Sequence, residues 1–226
     1  MRGTLYGIGV GPGDPELLTL RAVRAIKECG IIAMSDSGAQ RRAAFDIAKE
    51  YLDSKEILSL DMPMTRDLTE LNSKRAQAAE TICAKLDSGK DVGFLTLGDP
   101  FVYSTYSYVH KLVTDKGYEA TVIPGITSFC AAAAGLQKPL CEAGEALHII
   151  PASYGDINEA LNFPGTKVLM KSGKKLNEVL KSVSDKNLTA YVAENVGMPG
   201  ERLIFDIAKC AKENFDAGYF SIVVVK

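Results

Sequence analysis

Three short stretches gather the residue types that bind and orient small charged ligands. The first is YGIGVGPGD, residues 6–14, with glycines at 7, 9, 11 and 13 and a proline inside the run. Glycines let a backbone turn sharply and come close to a ligand. The run is not a dinucleotide fingerprint: Pro12 or Asp14 stands where that motif needs its third glycine, depending on the frame. The charge of Asp14 would also meet a pyrophosphate held there. Two uses remain, a close approach to a ligand or a plain strand-to-helix turn with Asp14 as its cap. The second stretch is TLGDPFVYSTY, residues 96–106. The carboxylate of Asp99 suits a ribose or an ammonium group, and it also suits organising its own turn. Tyr103 and Tyr106 stand at helical spacing, to line a flat ligand or to fill a core. The third stretch is PGITS, residues 124–128, whose hydroxyls cap the next helix or touch a ligand at its N-terminus.

Other chemistries find no footing. There is no serine or cysteine nucleophile with a positioned histidine, no P-loop lysine motif and no paired-carboxylate spacing. The five cysteines, Cys29, Cys83, Cys130, Cys141 and Cys210, are odd in number and show no Cys-x-x-Cys pair. They are expected as reduced thiols packed like small apolar residues, without disulfide or zinc. The two histidines, His110 and His148, lie far apart, and His148 sits in an apolar run as a half-buried strand residue.

The elements that must position these loops follow from the apolar pattern. In the first half, strands are expected at 5–10, 31–34, 56–60, 92–97 and 120–123, alternating with helices at 15–29, 43–52, 68–86 and 104–115. Asp14 and Pro15 open the first of these helices and Gly30 ends it. That alternation predicts an α/β domain with a largely parallel sheet, whose ligands bind at the carboxyl ends of the strands. Both the Gly9 to Asp14 loop and the Gly98-Asp99-Pro100 turn fall there. Beyond Pro124 and Gly125 a small-residue helix at 128–135 precedes strands at 147–150, 167–170, 188–193, 202–205 and 220–225. Helices fill 156–161, 175–184 and 207–214. The expectation is two α/β domains, 1–122 and 123–226, the second with a mixed sheet, joined near 122–126.

The 226 residues suffice for two such cores, and 46% apolar with 24% charged content is ordinary for a globular chain. With 26 basic and 28 acidic residues the net charge is −2, which argues against nucleic acid or an anionic membrane as main partner. No apolar run approaches the roughly 20 residues of a bilayer span. The N-terminus enters a strand without the marks of a signal peptide, so a cytoplasmic location is the expectation.

Taken together, YGIGVGPGD, LGDP (97–100) and PGITS, in this order and at these separations, resemble the tetrapyrrole methylase family, the precorrin and cobalt-factor methyltransferases, over essentially the full chain. GPGDPELLTL (11–20), PMTRD (63–67) and DPFVYSTY (99–106) are similar to the branch that methylates carbon 20. The resemblance implies two α/β domains with a cleft between them, S-adenosyl-L-methionine as methyl donor, no metal held by the protein, and commonly a homodimer. The implied substrate is precorrin-2 or its cobalt-loaded oxidised form, cobalt-factor II. It further implies cofactor contacts from Gly98, Asp99, Val102 and Tyr103, from Thr127 and Ser128, and from Met170 and Lys171 near the adenine. Ala193 or Glu194 would supply another. MKSGK (170–174) departs from the aromatic-Met-Gly form usual in the family. Gly11, Pro12, Gly13 and Asp14 would face the tetrapyrrole.

Such a reaction moves a methyl from a sulfonium to a meso carbon, so the protein's main task is positioning. The meso proton must then leave, with Asp14 and Tyr103 as the groups to receive it. Arg41, Arg42, Arg66, Lys138 and Lys171 are available for substrate carboxylates, each with a solvated surface charge as its plainer role. Methylation at another ring position, or a non-catalytic module that binds tetrapyrrole or nucleotide, are the competing functions.

Overall fold

The computed structural model describes residues 1–36, 38–63, 65, 67–207 and 218–226, the side chains of 39–41 and 174 apart. The chain divides into two compact units, residues 1–127 and 128–226.

In the first unit, strands β1 (Leu5–Gly9), β2 (Ile31–Ser35), β3 (Glu56–Leu60), β4 (Val92–Thr96) and β5 (Ala120–Ile123) form one sheet in the order β3-β2-β4-β1-β5. Every pairing is parallel. Helices α1 (Leu20–Glu28), α2 (Gly38–Ala48), α3 (Leu68–Asp87) and α4 (Tyr106–Asp115) supply the crossovers. Strand residues sort by alternation onto two faces. Leu5, Ile31, Ala33, Val92 and Phe94 pack with Ile82, Leu86, Val109 and Val113 of α3 and α4. Ile8, Val10, Ile32, Met34 and Leu95 pack with Ala22, Ile26, Ala44 and Ile47 of α1 and α2. Central strand β4 is buried at every position, as a sheet covered on both faces requires. The helices that leave the neighbouring strands β1 and β4 go to opposite faces. That arrangement leaves room above the carboxyl ends of this strand pair.

The first two helices differ from their expectations: the one expected over 43–52 spans Gly38–Ala48 and then a 3-10 turn Lys49–Tyr51. The helix expected over 15–29 is two pieces, a 3-10 turn Pro15–Leu17 and α1. Two cap residues compete there. Asp14 Oδ1 accepts from Glu16 N at 2.8 Å, and Thr19 Oγ1 accepts from Ala22 N at 3.1 Å. With Leu18 and Thr19 extended (ψ 130° and 148°), the second cap starts the helix afresh.

The second unit carries α5 (Ser128–Leu136), β6 (Leu147–Pro151), α6 (Ile157–Ala160), β7 (Thr166–Met170), α7 (Leu176–Asp185), β8 (Ala190–Glu194), β9 (Arg202–Ile204) and β10 (Ser221–Val225). Its sheet runs β6-β7-β10-β8-β9 and is mixed, β6 and β7 parallel and the other pairings antiparallel. Leu176, Val179, Leu180 and Val183 of α7 pack on Leu169, Val192, Val223 and Val225 of the sheet. The helix expected over 207–214 lies outside the described residues beyond Ile207, as do Arg66, Cys210 and the side chain of Arg41.

Candidate functional site

Three backbone segments meet above β1 and β4. Gly11 and Gly98 form an antiparallel bridge, Gly98 N donating to Gly11 O at 2.7 Å and Gly11 N to Gly98 O at 3.3 Å. A Cβ on Gly125 would stand 2.0 Å from Gly98 O, and one on Gly9 would stand 2.4 Å from Gly125 N. No real Cβ comes so near to backbone, so the ends of β1, β4 and β5 touch only because both residues are glycine. Gly98 has a different reason: its φ is +72°, and nothing lies within 4 Å of where its Cβ would be. It leaves open space beside the turn.

Asp99 ties the same segments through its side chain. Oδ1 accepts from Phe101 N at 2.8 Å, closing its own turn, and Oδ2 accepts from Gly125 N at 3.1 Å. The turn-organising use of Asp99 is therefore real, and it reaches across to the third motif. Both oxygens keep accepting capacity, since a carboxylate has about four lone-pair sites. Thr127 Oγ1 and Thr96 Oγ1 are buried and have no hydrogen-bond partner among the described residues. Buried hydroxyls are normally satisfied, so these two ask for one. A half-buried carboxylate, orphaned hydroxyls and open space beside a glycine fit the ribose and amino groups of S-adenosylmethionine. Ser128 is the first residue of α5.

After this turn Val102 is half-buried and Tyr103 is 43% exposed with φ +50°. A tyrosine in the left-handed region is unusual and marks strain of the kind that gathers at binding sites. The two tyrosines do not share a helix face. Helix α4 starts only at Tyr106, with Ser104 Oγ accepting from Tyr106 N at 3.1 Å. Tyr106 is wholly buried. Its ring lies on Gly7, where a Cβ would come within 2.1 Å of it. Burial raises its hydroxyl well above the ordinary phenol range, and the oxygen stands 3.1 Å from His110 Nδ1. Burial also lowers the His110 imidazole. Tyr106 is core and only Tyr103 faces outward.

In the first loop Gly11, Pro12 and Gly13 are buried and Asp14 is half-buried. Asp14 caps the 3-10 turn, so that part of its chemistry is accounted for locally.

In the second unit Met170 ends β7 and its carbonyl accepts from Ala152 N at 2.8 Å. Lys171 follows with φ +55°. Its side chain is half-buried, and desolvation lowers the ammonium below the usual lysine range. Ala193 is wholly buried in β8. Its neighbour Glu194, 2% exposed, is engaged by the Arg202 guanidinium and by Gly218 N. Glu194 thus anchors β9 and the entry to β10.

The remaining expectations divide. Cys29 and Cys83 are buried thiols, and burial, helped by the nearby Asp91 carboxylate, pushes Cys29 up to about 12. Cys130 and Cys141 are exposed, contrary to the expectation for all five, because they lie on an outward helix position and in a loop. His148 lies half-buried in β6, as expected, and its Nε2 stands 2.9 Å from Pro164 O. Arg42 and Lys138 are exposed, and Lys138 sits 5.6 Å over the Tyr191 ring. Among the described residues, no group of three or more His, Cys, Asp or Glu is placed to hold a metal, and no helix is long and apolar enough to cross a membrane. The orphaned Thr96 was not singled out from sequence. It sits two residues before Gly98, at the buried end of a strand where a hydroxyl has no helix to cap, and that is the signal that would have found it.

Two α/β units, the first with glycine loops meeting over a parallel sheet, define a ligand-binding enzyme scaffold. The chain belongs to the Tetrapyrrole (Corrin/Porphyrin) Methylases, whose sequence profile matches residues 4–209. It is 35% identical to a probable cobalt-precorrin-2 C(20)-methyltransferase of Methanocaldococcus jannaschii, covering 98% of this chain and 95% of the relative. It is 30% identical to a precorrin-2 C(20)-methyltransferase of a Sinorhizobium species, covering 99% and 95%. The fold is also that of the uroporphyrin-III C-methyltransferase of Thermus thermophilus solved with S-adenosylhomocysteine, at TM-score 0.73 and 21% identity, covering 99% and 92%.

Proposed function

We propose that this chain transfers the methyl of S-adenosyl-L-methionine to carbon 20 of precorrin-2 or cobalt-factor II in corrin ring biosynthesis. The observation that carries the proposal is the junction at Gly98 and Asp99. There a carboxylate, open space beside a glycine and orphaned threonine hydroxyls stand at the strand ends where an α/β sheet binds ligands. The C20 assignment rests on the relatives named for that position and on the motifs that resemble that branch.

S-adenosylmethionine supplies a methyl already activated on a sulfonium. The chain's residues then have to hold it and exclude water. Gly98 and Asp99, with Val102, Tyr103, Thr127 and Ser128, are the proposed contacts in and beside the first unit. Met170, Lys171 and Ala193 are the proposed contacts from the second. Positioning of this kind supplies roughly 7–11 kcal/mol of barrier lowering. Gly11, Pro12, Gly13 and Asp14 face the substrate. Asp14 accepts the meso proton through the oxygen that does not cap the turn, and Tyr103, held outward by its strained backbone, is the alternative acceptor as the phenolate, its own proton having first passed to solvent. The enzyme acts in the cytoplasm as a homodimer, and any cobalt arrives with the substrate.

The test is a paired assay of purified protein with 13C-methyl S-adenosylmethionine and either cobalt-factor II or precorrin-2. One methyl added at C20, read by NMR, is expected with at least one of them. Addition at another carbon overturns the position, and addition to neither overturns the activity. In the same assay Asp14→Asn is expected to lower kcat at least tenfold with KM little changed. Unchanged turnover removes Asp14 from the mechanism.

A further inference from the structure

Thr96 is the last residue of β4, VGFLT, and the one polar residue in that strand. It is 8% exposed, and its Oγ1 is buried without a hydrogen-bond partner among the described residues. Alternation puts its side chain on the same face as Phe94, the face covered by α3 and α4. In the ladder it stands opposite Gly9 of β1. A Cβ at Gly9 would point to that face too, about 4.8 Å, one strand spacing, from the Cβ of Thr96. Gly125 N lies 2.4 Å from that point and Gly98 O 2.7 Å. The Thr96 side chain is therefore aimed at the place where the three glycine segments meet. Two residues on, nothing lies within 4 Å of where a Gly98 Cβ would be, so the strand end opens there.

The strand does not ask for this hydroxyl. Valine has the same branched shape and suits a strand equally. Burying a hydroxyl that makes no hydrogen bond is unfavourable. The charge at the junction says what kind of group would satisfy it. Asp99 Oδ2 stands there, 3.1 Å from Gly125 N. A carboxylate or phosphate brought to the junction would be repelled by that charge. An N–H or O–H donor would bridge the carboxylate and the threonine oxygen.

We propose that the Thr96 oxygen accepts a hydrogen bond from a donor group of S-adenosylmethionine that Asp99 also holds. The cofactor offers two such groups, the ammonium of its methionine moiety and the hydroxyls of its ribose. The inference rests on the methyltransferase proposal and adds to its loop contacts one from the strand itself. Thr96 is tied into the ladder, its carbonyl accepting from Val10 N at 2.9 Å. A group carried on a strand places a ligand more precisely than one carried on a loop. Thr96 thereby sets how deep the cofactor sits at the strand end.

The experiment uses the full chain with Thr96→Val and Thr96→Ser. Calorimetry gives the dissociation constants of S-adenosylmethionine and of 5′-methylthioadenosine, which keeps the ribose and lacks the amino-acid moiety. Thermal scans without ligand give stability. Thr96→Val is expected to bind S-adenosylmethionine about tenfold more weakly while melting at or above the wild-type temperature. Thr96→Ser keeps the hydroxyl and recovers most of the affinity. Weaker binding of S-adenosylmethionine alone identifies the ammonium, and weaker binding of both compounds identifies the ribose. A valine variant that binds S-adenosylmethionine within twofold of wild type overturns the proposal. So does a valine variant that melts several degrees lower or fails to fold, because the hydroxyl then serves the fold through an internal partner such as a buried water. A wild type that binds S-adenosylmethionine but methylates neither tetrapyrrole loses the activity reading alone, and calorimetry still decides on Thr96. A wild type that does not bind the cofactor overturns both.

Discussion

Asp99 shows how one carboxylate serves geometry and ligand together. It receives backbone N–H groups from Phe101 and from Gly125, 26 residues away. Asp99→Ala leaves both donors without their acceptor, at about 1–3 kcal/mol for a buried one. The variant is expected to melt several degrees lower and to bind S-adenosylmethionine at least tenfold more weakly, by thermal scan and calorimetry. Weaker binding with an unchanged melting temperature would mean that the link to Gly125 carries no stability. His110 offers a different handle. Burial holds its folded imidazole below the ordinary value, so the unfolded chain takes up a proton first as pH falls. Its contribution to stability is complete above the ordinary imidazole range, near pH 6.5. That contribution is lost as pH falls from there through the lowered folded value. His110→Gln, which keeps a polar partner for Tyr106, should show a shallower drop in melting temperature between pH 7 and pH 5 than the wild type. An equal drop would assign the acid sensitivity to other groups.

The elements were legible where the apolar pattern was regular and hidden where local chemistry overrode it. Strands β3 and β5 stand at their expected bounds, between Lys55 and Asp61 and between Glu119 and Pro124. The break between Leu17 and Leu20 was not legible: an apolar stripe runs through it, and only the competition between the Asp14 and Thr19 caps divides it. The pairing of Tyr103 with Tyr106 misled for a related reason, since spacing says nothing about where a helix begins. Gly7 explains what happens instead. It removes the one side chain that would lie between β1 and the Tyr106 ring. Gly7→Ala forces that ring away and is expected to cost about 2–4 kcal/mol, as overpacking at a rigid core position does. In a Tyr106→Leu background the same substitution should cost clearly less, measured as a double-mutant cycle in urea. Additive costs would mean that the two residues do not share the space.

At the scale of the molecule, each unit has its own core. Residues 1–127 hold two apolar clusters, one on each face of a parallel sheet, and residues 128–226 hold a third. A fragment of residues 1–127 is therefore expected to fold alone, with a cooperative thermal transition by circular dichroism. A gradual loss of signal would show that its core needs the rest of the chain. The division into two α/β units, the second with a mixed sheet, was readable from the order of periodicities. Ser172 was less readable: it is a serine among others until burial shows its hydroxyl stranded among the described residues.

The meeting of Gly9, Gly98 and Gly125 has a consequence for how this protein can diversify. Gly9 and Gly125 are held to one residue type by volume, since even a methyl group would enter a neighbouring backbone. Gly98 is held by torsion alone, with free space around it. In a library that samples every amino acid at the three sites, survivors at 9 and 125 should be glycine only. Position 98 should also admit asparagine and aspartate, which tolerate left-handed backbone. New ligand preferences can enter this junction through one of its three doors.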